Sequence, residues 1–201
     1  MLDIRSSFLK ISSTLAIVAS CTILCISSSL SNQLITPQAK KTASPLTAKQ
    51  ANSAVAELRR RNLLLPLLGF DIERAKDSYT ELRNGQSHEA LDMLAPRNTS
   101  VLAVEDGDIA KLFKSKLGGT TVYQYDPIHH YVYYYAHLEK YAESLKDGQK
   151  VKRGQVLGYV GTSGNAPKNT PHLHFSISVV DADKRWWQTA PINPYLIFKK
   201  Y

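Results

Sequence analysis

The histidines of this sequence, together with one aspartate, have the residue types and spacing of a metal site. His88 and Asp92 lie four residues apart, which puts an imidazole and a carboxylate on the same side of a helix turn or a strand. His172 and His174 flank a leucine, so in a strand both imidazoles face one way and the leucine enters the opposite, apolar layer. Two imidazoles on one face form a chelating geometry, although two polar surface histidines would fit that tripeptide alone equally well.

A metal ion bound here would have the ligands of a catalytic zinc site. His88, Asp92 and one histidine of the 172/174 pair supply the usual three protein ligands, and the fourth position stays open for water. Such a zinc ion lowers the pKa of the water to about 7 and polarises a carbonyl group. The remaining histidines, His137 first among them, could then accept and donate the protons of a hydrolysis. The pattern therefore favours a metal-dependent hydrolase.

The cysteines and the first residues of the chain point to export. Cys21 and Cys25 are the only cysteines, so the rest of the chain can have neither a disulfide scaffold nor a thiolate metal site. Residues 1–30 have the charged, then apolar, then small-residue order of a secretory leader. Cys21 also lies in a short bacterial lipobox, and a cleaved leader or an uncleaved anchor over residues 11–30 are the alternatives. We expect an exported, periplasmic protein of the cell envelope that is anchored to the membrane.

The remainder of the chain divides into a tether, a helix and a β domain. Residues 31–50 are polar and have no apolar period, which predicts a flexible linker. Helical apolar spacing predicts a helix over residues 51–65, with Thr47 as a candidate cap and Pro66 as its limit. In residues 66–201, short apolar segments alternate with turn signals, which predicts a mainly β domain.

The predicted strands pair with their neighbours in sequence. An Asp-Gly turn signal separates residues 99–104 from residues 108–113, so these two segments are predicted to form a hairpin. Residues 120–125 and 130–138 are a second predicted pair, because an Asp-Pro turn signal lies between them. Residues 171–179 form the strand that carries two of the histidines.

Composition and charge exclude several other classes of protein. With 43% hydrophobic and 21% charged residues, the chain has enough apolar material for a core and is not wholly disordered. The formal charge of +8 predicts attraction to the anionic polymers of the envelope. The basic run at residues 59–61 lies at the expected end of the helix and has no aromatic residues among it. We therefore expect no nucleic-acid partner.

The histidines belong to motifs whose order is that of one protein family. In chain order these motifs are His88-x-x-x-Asp92, Ala136-His137-Leu138, the glycine-rich stretch 158–165 and Pro171-His172-Leu173-His174-Phe175. Together they resemble the lysostaphin-like (LytM-type) zinc endopeptidases of bacterial cell walls, over roughly residues 66–196. The resemblance implies a compact antiparallel β-sheet structure, barrel-like or sandwich-like, with a groove over a zinc ion.

The resemblance also implies a role for each residue of the motifs. Carried over position by position, it makes His88, Asp92 and His174 the zinc ligands. It makes His137 and His172 the catalytic pair. The implied reaction is hydrolysis of peptide bonds in the cross-links or stem peptides of peptidoglycan by a metal-activated water.

Five positions in or near the motifs each allow two interpretations. Ala90 and Ala136 stand where the family usually has glycine, and a methyl group at Ala90 would shift the backbone if that position needs a positive φ. Arg83 matches an arginine of many relatives and could hold a substrate carboxylate or carbonyl, or could be merely solvated. Trp186 and Trp187 could line the groove, but core packing is the favoured interpretation.

Two alternatives to this function remain at the level of sequence. The segment from His88 to Asp92 also looks like the His-Glu-x-x-His helix of other metalloproteases with Asp in the last place, in which case Glu89 would be the general base. The second alternative is an inactive LytM-like envelope protein that binds and activates cell-wall amidases. All five motif positions are filled in this chain, which favours the enzyme.

Overall fold

The computed structural model describes residues 44–83 and 85–199. The expectations for the leader, for Cys21 and for the linker up to residue 43 lie outside these residues. No helix within the described ranges is both long enough and apolar enough to cross a membrane.

The described chain begins with the predicted helix, α1, which spans Ala48–Arg60. Thr47 and Gln50 form a capping box, in which each side chain bonds the backbone of the other. This box starts the helix three positions before residue 51, and a left-handed residue at Asn62, with φ 51°, follows its end. Leu58 is fully buried, so α1 packs on the β domain through one apolar stripe.

The rest of the domain is mainly β, as predicted. A short 3₁₀ helix spans Ile72–Arg74 and a short helix, α2, spans Pro194–Phe198. The strands are β1 (Leu82–Arg83), β2 (Gln86–Ser87), β3 (Leu91–Leu94), β4 (Ser100–Leu102), β5 (Gly107–Ser115), β6 (Gly119–Tyr125), β7 (Tyr131–Tyr141), β8 (Lys150–Val151), β9 (Val156–Val160), β10 (His172–Val180) and β11 (Thr189–Ile192).

All strand pairs are antiparallel. β1 and β2 form a separate ribbon, and the other nine strands form one sheet in the order β11-β10-β7-β6-β5-β8. β3 pairs with the beginning of β10, and β9 pairs with both β4 and β7. The predicted pairing of β6 with β7 is present in this sheet.

The predicted hairpin over residues 99–113 is wrong, because β4 pairs with β9 and β5 pairs with β6 and β8. Asp106, the acidic residue of the expected turn, binds the segment between β8 and β9. Its carboxylate accepts hydrogen bonds from the Arg153 backbone N–H and from Lys152 Nζ. Ala103 continues the pairing with the segment before β9 through bonds to Gly154 and Gln155. After β4 the chain therefore continues to β5 beside different partner strands, where the sequence predicted a hairpin turn.

One strand separates the core from the functional face. On β10, Leu173, Phe175 and Ile177 are fully buried in the core. The alternating residues His172 and His174 lie on the opposite face, as the period of a strand requires. The alternation of polar and apolar residues along β10 therefore gives this strand a polar face on one side and an apolar face toward the core on the other.

A polar cluster fastens α1 to the sheet. Arg61 Nη2 lies 2.7 Å from Glu57 Oε1, and Arg61 Nη1 lies 3.1 Å from Glu105 Oε1 and 2.9 Å from Asp126 Oδ2. We call these four residues the Arg61 cluster. Tyr131 donates a 2.8 Å hydrogen bond from its hydroxyl to Glu57 Oε2, which adds a second tie between helix and sheet.

Candidate metal centre

The pairing of β3 with β10 brings Asp92 directly opposite His174. His88 lies in the loop between β2 and β3, where a left-handed residue, Glu89 with φ 54°, turns the chain back toward the sheet. Asp92 Oδ1 lies 3.1 Å from His88 Nε2 and 3.0 Å from His174 Nδ1, and these two nitrogens lie 3.1 Å apart. We call these three residues the metal centre.

The three atoms have the spacing that a zinc ion requires. A tetrahedral zinc ion about 2.1 Å from each ligand atom needs about 3.4 Å between the ligand atoms. The observed separations of 3.0 to 3.1 Å come close to this value. His88, Asp92 and His174 form the one group of metal-ligating side chains with this convergence that was found within residues 44–83 and 85–199.

Backbone carbonyls orient three of the site imidazoles. Nδ1 of His88 lies 3.2 Å from the Ser78 carbonyl oxygen, Nδ1 of His137 lies 2.9 Å from the Ser163 carbonyl, and Nδ1 of His172 lies 2.9 Å from the Thr170 carbonyl. A carbonyl oxygen only accepts, so each Nδ1 is the donor. In the tautomer fixed in this way, the neutral form of each ring has its free lone pair on Nε2.

The charge states of the metal centre suit a divalent cation. Burial alone would raise the pKa of the Asp92 carboxyl, but the close contacts of its oxygen with the imidazoles of His174 and His88 hold that pKa well below its usual range. Burial lowers the pKa of His174, and the neighbouring His88 and His172 lower it further. The contact with Asp92 raises this pKa but does not reverse the net decrease. An ionised carboxylate and neutral imidazoles are the forms that bind zinc.

Arg83 holds the second oxygen of the same carboxylate. Its Nη1 lies 2.7 Å from Asp92 Oδ2, while Asp92 Oδ1 faces the two histidines. The Arg83 side chain is 46% exposed, so it also faces solvent at the rim of the site. The contact fixes the rotation of the carboxylate and keeps Oδ1 pointed at the metal position.

His137 and His172 lie beside the metal centre with their rings 4.9 Å apart. The ring of His137 lies 5.5 Å from that of His174, and His172 Nε2 lies 4.0 Å from Asp92 Oδ1. Burial first, and then the neighbouring His174, lowers the pKa of His137 to about 4. His137 is therefore a neutral base at neutral pH.

Clefts open on both sides of Asp92. One of about 390 Å³ contacts His137, His172 and the loop that carries Asn165. A second of about 580 Å³ extends from Arg83 toward Phe70 and the 3₁₀ helix. Arg83, Asp92 and Leu94 line both, so the two clefts meet at the metal centre.

The comparisons with known proteins identify the family. Residues 86–194, more than half of the chain, match the model of peptidase family M23. The chain belongs to peptidase family M23. The M23 match covers β2 to the start of α2 and includes His88, Asp92, His137, His172 and His174.

The curated relatives of this chain include proteins named as endopeptidases. The L-Ala–D-Glu endopeptidase of Bacillus subtilis is 33% identical over 119 residues, which is 57% of this chain and 36% of that protein. The peptidoglycan DD-endopeptidase ShyC of Vibrio cholerae is also 33% identical over 119 residues, covering 55% and 26% respectively. The chain thus spans 26% to 36% of the length of these two curated relatives.

A solved structure shows the same fold. The catalytic domain of lysostaphin from Staphylococcus simulans superposes with a TM-score of 0.50 at 27% sequence identity. The match covers 62% of this chain and 94% of that domain. The lysostaphin-like fold expected from the sequence motifs is therefore confirmed.

The structure also resolves the departures from the M23 pattern. Positive φ falls on Glu89 and on His137, with φ 61°, and not on Ala90, so the methyl group of Ala90 causes no strain there. The helix required by the alternative with Glu89 as base is absent, because residues 88–90 form a loop between β2 and β3. That alternative is wrong in its geometry.

The tryptophans are not where core packing would put them. Trp187 is 50% exposed and Trp186 is half-buried on the surface of the sheet, so the favoured interpretation is wrong. The carbonyls of Ser78, Ser163 and Thr170 that orient the imidazoles were missed by sequence reasoning. No side-chain type marks a backbone carbonyl as a partner, so the sequence carries no signal for them.

Proposed function

We propose that this chain is a zinc-dependent endopeptidase that hydrolyses peptide bonds in peptidoglycan cross-links or stem peptides. The observation that carries the proposal is the convergence of His88, Asp92 and His174 at ligand distance, beside two further imidazoles with fixed tautomers. Membership of M23, whose relatives include endopeptidases named for peptidoglycan, supports the same reaction.

In this proposal His88, Asp92 and His174 hold zinc. The chemistry that zinc supplies when bound is polarisation of the scissile carbonyl and activation of a water molecule. Nε2 of His137 is unprotonated because its Nδ1–H is committed to the Ser163 carbonyl, so it is placed to accept the proton of that water. Nδ1 of His172 is bound to the Thr170 carbonyl in the same way, so Nε2 of His172 is the second nitrogen of the catalytic pair that we propose.

The proton then has a path to the leaving group. The imidazolium formed when one of the two histidines accepts a proton can donate it to the leaving amine. The 4.9 Å between the rings of His137 and His172 places both within one substrate's reach. Arg83 lies at the rim with one face toward solvent, and we propose that it also contacts a substrate carboxylate or carbonyl.

The location and the bond cut are further parts of the proposal. A leader over residues 1–30, with Cys21 lipidated or with a retained anchor, would hold the M23 domain at the envelope by the segment between the leader and α1. The net charge of +8 would add a salt-sensitive attraction to anionic wall polymers. For a lipidated protein of a Gram-negative envelope, a D-alanyl to diaminopimelate bond is the favoured target.

Digestion of purified sacculi tests the proposal. The wild-type chain is expected to release fragments whose masses identify the bond cut, and His174→Ala is expected to release none. His129→Ala is a matched control, because His129 pairs with Asp108 and lies outside the metal centre. A wild-type protein that binds no zinc and releases nothing, yet stimulates a cell-wall amidase, would establish the inactive alternative instead.

A further inference from the structure

An aromatic surface leads away from the metal centre across the sheet. The ring of Tyr134 lies 6.0 Å from that of His174, the ring of Tyr123 lies 4.6 Å from that of Tyr134, and the ring of Trp186 lies 4.5 Å from that of Tyr123. Trp186 also contacts Phe113 at 5.8 Å and Trp187 at 5.3 Å. We call Phe113, Tyr123, Tyr134, Trp186 and Trp187 the aromatic surface.

The strand register explains why these rings share a face with the metal centre. Ser176 lies two residues after His174 on β10 and therefore on the same face of the sheet. Ser176 is directly opposite Tyr134 on β7, and Tyr134 is directly opposite Tyr123 on β6. Neighbouring strands lie about 4.8 Å apart, so Ser176, Tyr134 and Tyr123 form a row across the sheet. This row lies two residues along β10 from the row that contains His174.

A tied loop places the tryptophans. Asp181 accepts hydrogen bonds from the backbone and side chain of Arg185, and the Tyr125 hydroxyl donates to the Lys184 carbonyl. The loop between β10 and β11 therefore has a defined course that brings Trp186 over β5 and β6. Trp187 remains 50% exposed and Phe113 42% exposed, although both belong to the same contiguous aromatic cluster.

The chemistry of this surface distinguishes among occupants. β7 and β6 are interior strands, each hydrogen-bonded on both sides, so a peptide cannot bind there by adding a strand. What the surface offers is flat ring faces with a negative quadrupole, which attract the C–H groups of a flat, amphipathic ligand. Pyranose rings have such C–H faces, and they form the backbone of the polymer whose peptides the metal centre is proposed to cut.

We propose that the aromatic surface binds the glycan strand of peptidoglycan while the metal centre holds the attached peptide. The proposal rests on the proposed function for its choice of polymer, and on the continuity of the rings from His174 to Trp187 for its geometry. Three ring-to-ring steps separate the metal ligand from Trp186, so one polymer segment can contact both. The surface thereby favours cleavage of peptides that are still attached to glycan over cleavage of free peptides.

Trp187→Ala tests the proposal because Trp187 is exposed and its removal leaves the core unchanged. The probe is soluble glycan strands from which all peptides have been removed, titrated into the full chain with tryptophan fluorescence and calorimetry as readouts. We expect the wild type to bind, and Trp187→Ala to bind about tenfold more weakly, the upper range for losing one aromatic contact. Trp187→Phe keeps a ring and is expected to retain most of the affinity. Leu68→Ala, at another exposed apolar side chain, is the matched control and is expected to change nothing.

Hydrolysis assays add a second readout. Trp187→Ala is expected to raise KM for sacculi while leaving cleavage of glycan-free, cross-linked peptides unchanged. Absence of wild-type binding to peptide-free glycan would overturn the proposal, as would an equal loss on both substrates, which would make the occupant a peptide. Because the glycan titration needs no catalysis, a chain that binds glycan but cuts nothing would refute the proposed function and leave this inference standing.

Discussion

The metal centre and the Arg61 cluster are both groups of polar side chains that meet across distant parts of the chain, but they balance their charges differently. In the Arg61 cluster one guanidinium contacts three carboxylates, so a cation of the protein itself offsets part of the negative charge. In the metal centre Arg83 contacts only Asp92 Oδ2, and the three atoms that converge are Asp92 Oδ1 and two imidazole nitrogens.

The difference separates a structural cluster from a binding site. A buried carboxylate that is paired with an arginine of the protein needs no external cation, and removing either partner destabilises the fold. Lone pairs that converge on one point form a site for an external cation, since burying them without a partner costs free energy. Each of the following substitutions tests whether the two clusters divide their roles in this way.

The largest effect is expected from a pair of aspartate substitutions, one in each cluster. Asp92→Ala removes a proposed zinc ligand, so we expect zinc binding to be lost and hydrolysis to fall at least about 10⁴-fold. The measurements are metal content by mass spectrometry and the rate of peptide release. Asp126→Ala, the counterpart in the Arg61 cluster, is expected to keep one zinc ion per chain. If both variants lost zinc equally, the proposed division between the clusters would be wrong.

His137→Gln is expected to lower kcat by about 10² to 10⁴-fold, the usual contribution of a general acid or base. Because His137 is not among the three converging ligands, zinc affinity should stay within a few-fold of the wild type. Stopped assays with saturating substrate and a zinc titration measure the two quantities. Loss of the metal in this variant would move His137 into the ligand set.

Asp126→Ala is expected to act on stability. Its side chain is fully buried and accepts bonds from Arg61 and from the backbone N–H groups of His130 and Tyr131. Removing one partner of a buried ion pair lowers the free energy of unfolding by about 3 to 5 kcal/mol. Urea denaturation of the zinc-loaded protein measures it. A decrease of less than about 1 kcal/mol in the free energy of unfolding would show that the Arg61 cluster does not stabilise the packing of α1 on the sheet.

Arg83→Gln is expected to weaken zinc binding by about 10 to 100-fold, because a partner that orients a ligand contributes about that much. Competition with a chromogenic chelator measures the affinity, and Lys76→Gln, next to the same cleft, is the control. A variant with unchanged zinc affinity but a raised KM would assign Arg83 to the substrate alone.

Glu89→Gln is expected to have the smallest effect, with kcat and zinc content unchanged within about twofold. No helix places Glu89 over the metal centre, so it cannot serve as the general base that the alternative requires. A near-complete loss of activity would revive that alternative and remove His137 and His172 from the proton path.

The sequence predicts the parts of the site that depend on local period and motif order. The alternation along His172-Leu173-His174 is a property of any strand, and β10 shows it. The capping of α1 at Thr47 likewise depends on neighbours three residues apart. Such features follow from short-range geometry, which the sequence contains directly.

Long-range choices could not be predicted in the same way. β4 pairs with β9, and Asp106 is bound by Lys152 and Arg153, a contact between distant segments that the Asp-Gly turn signal does not reveal. Trp186 has an apolar side chain typical of a core, but the hydroxyl of Tyr125 on β6 donates to the Lys184 carbonyl and holds the loop on the surface of the sheet. In both cases tertiary contacts decide between two locally acceptable structures.

The register of β3 on β10 also governs when the protein can acquire its ion. Asp92 and His174 are separated by 82 positions along the chain and meet only when the two strands join. Pairings between distant segments form slowly, since a long loop must close first. For the exported chain proposed above, an unfolded state would have no preformed set of ligands, so zinc binding would follow formation of the sheet, and the local supply of zinc would decide the fraction of molecules that become loaded.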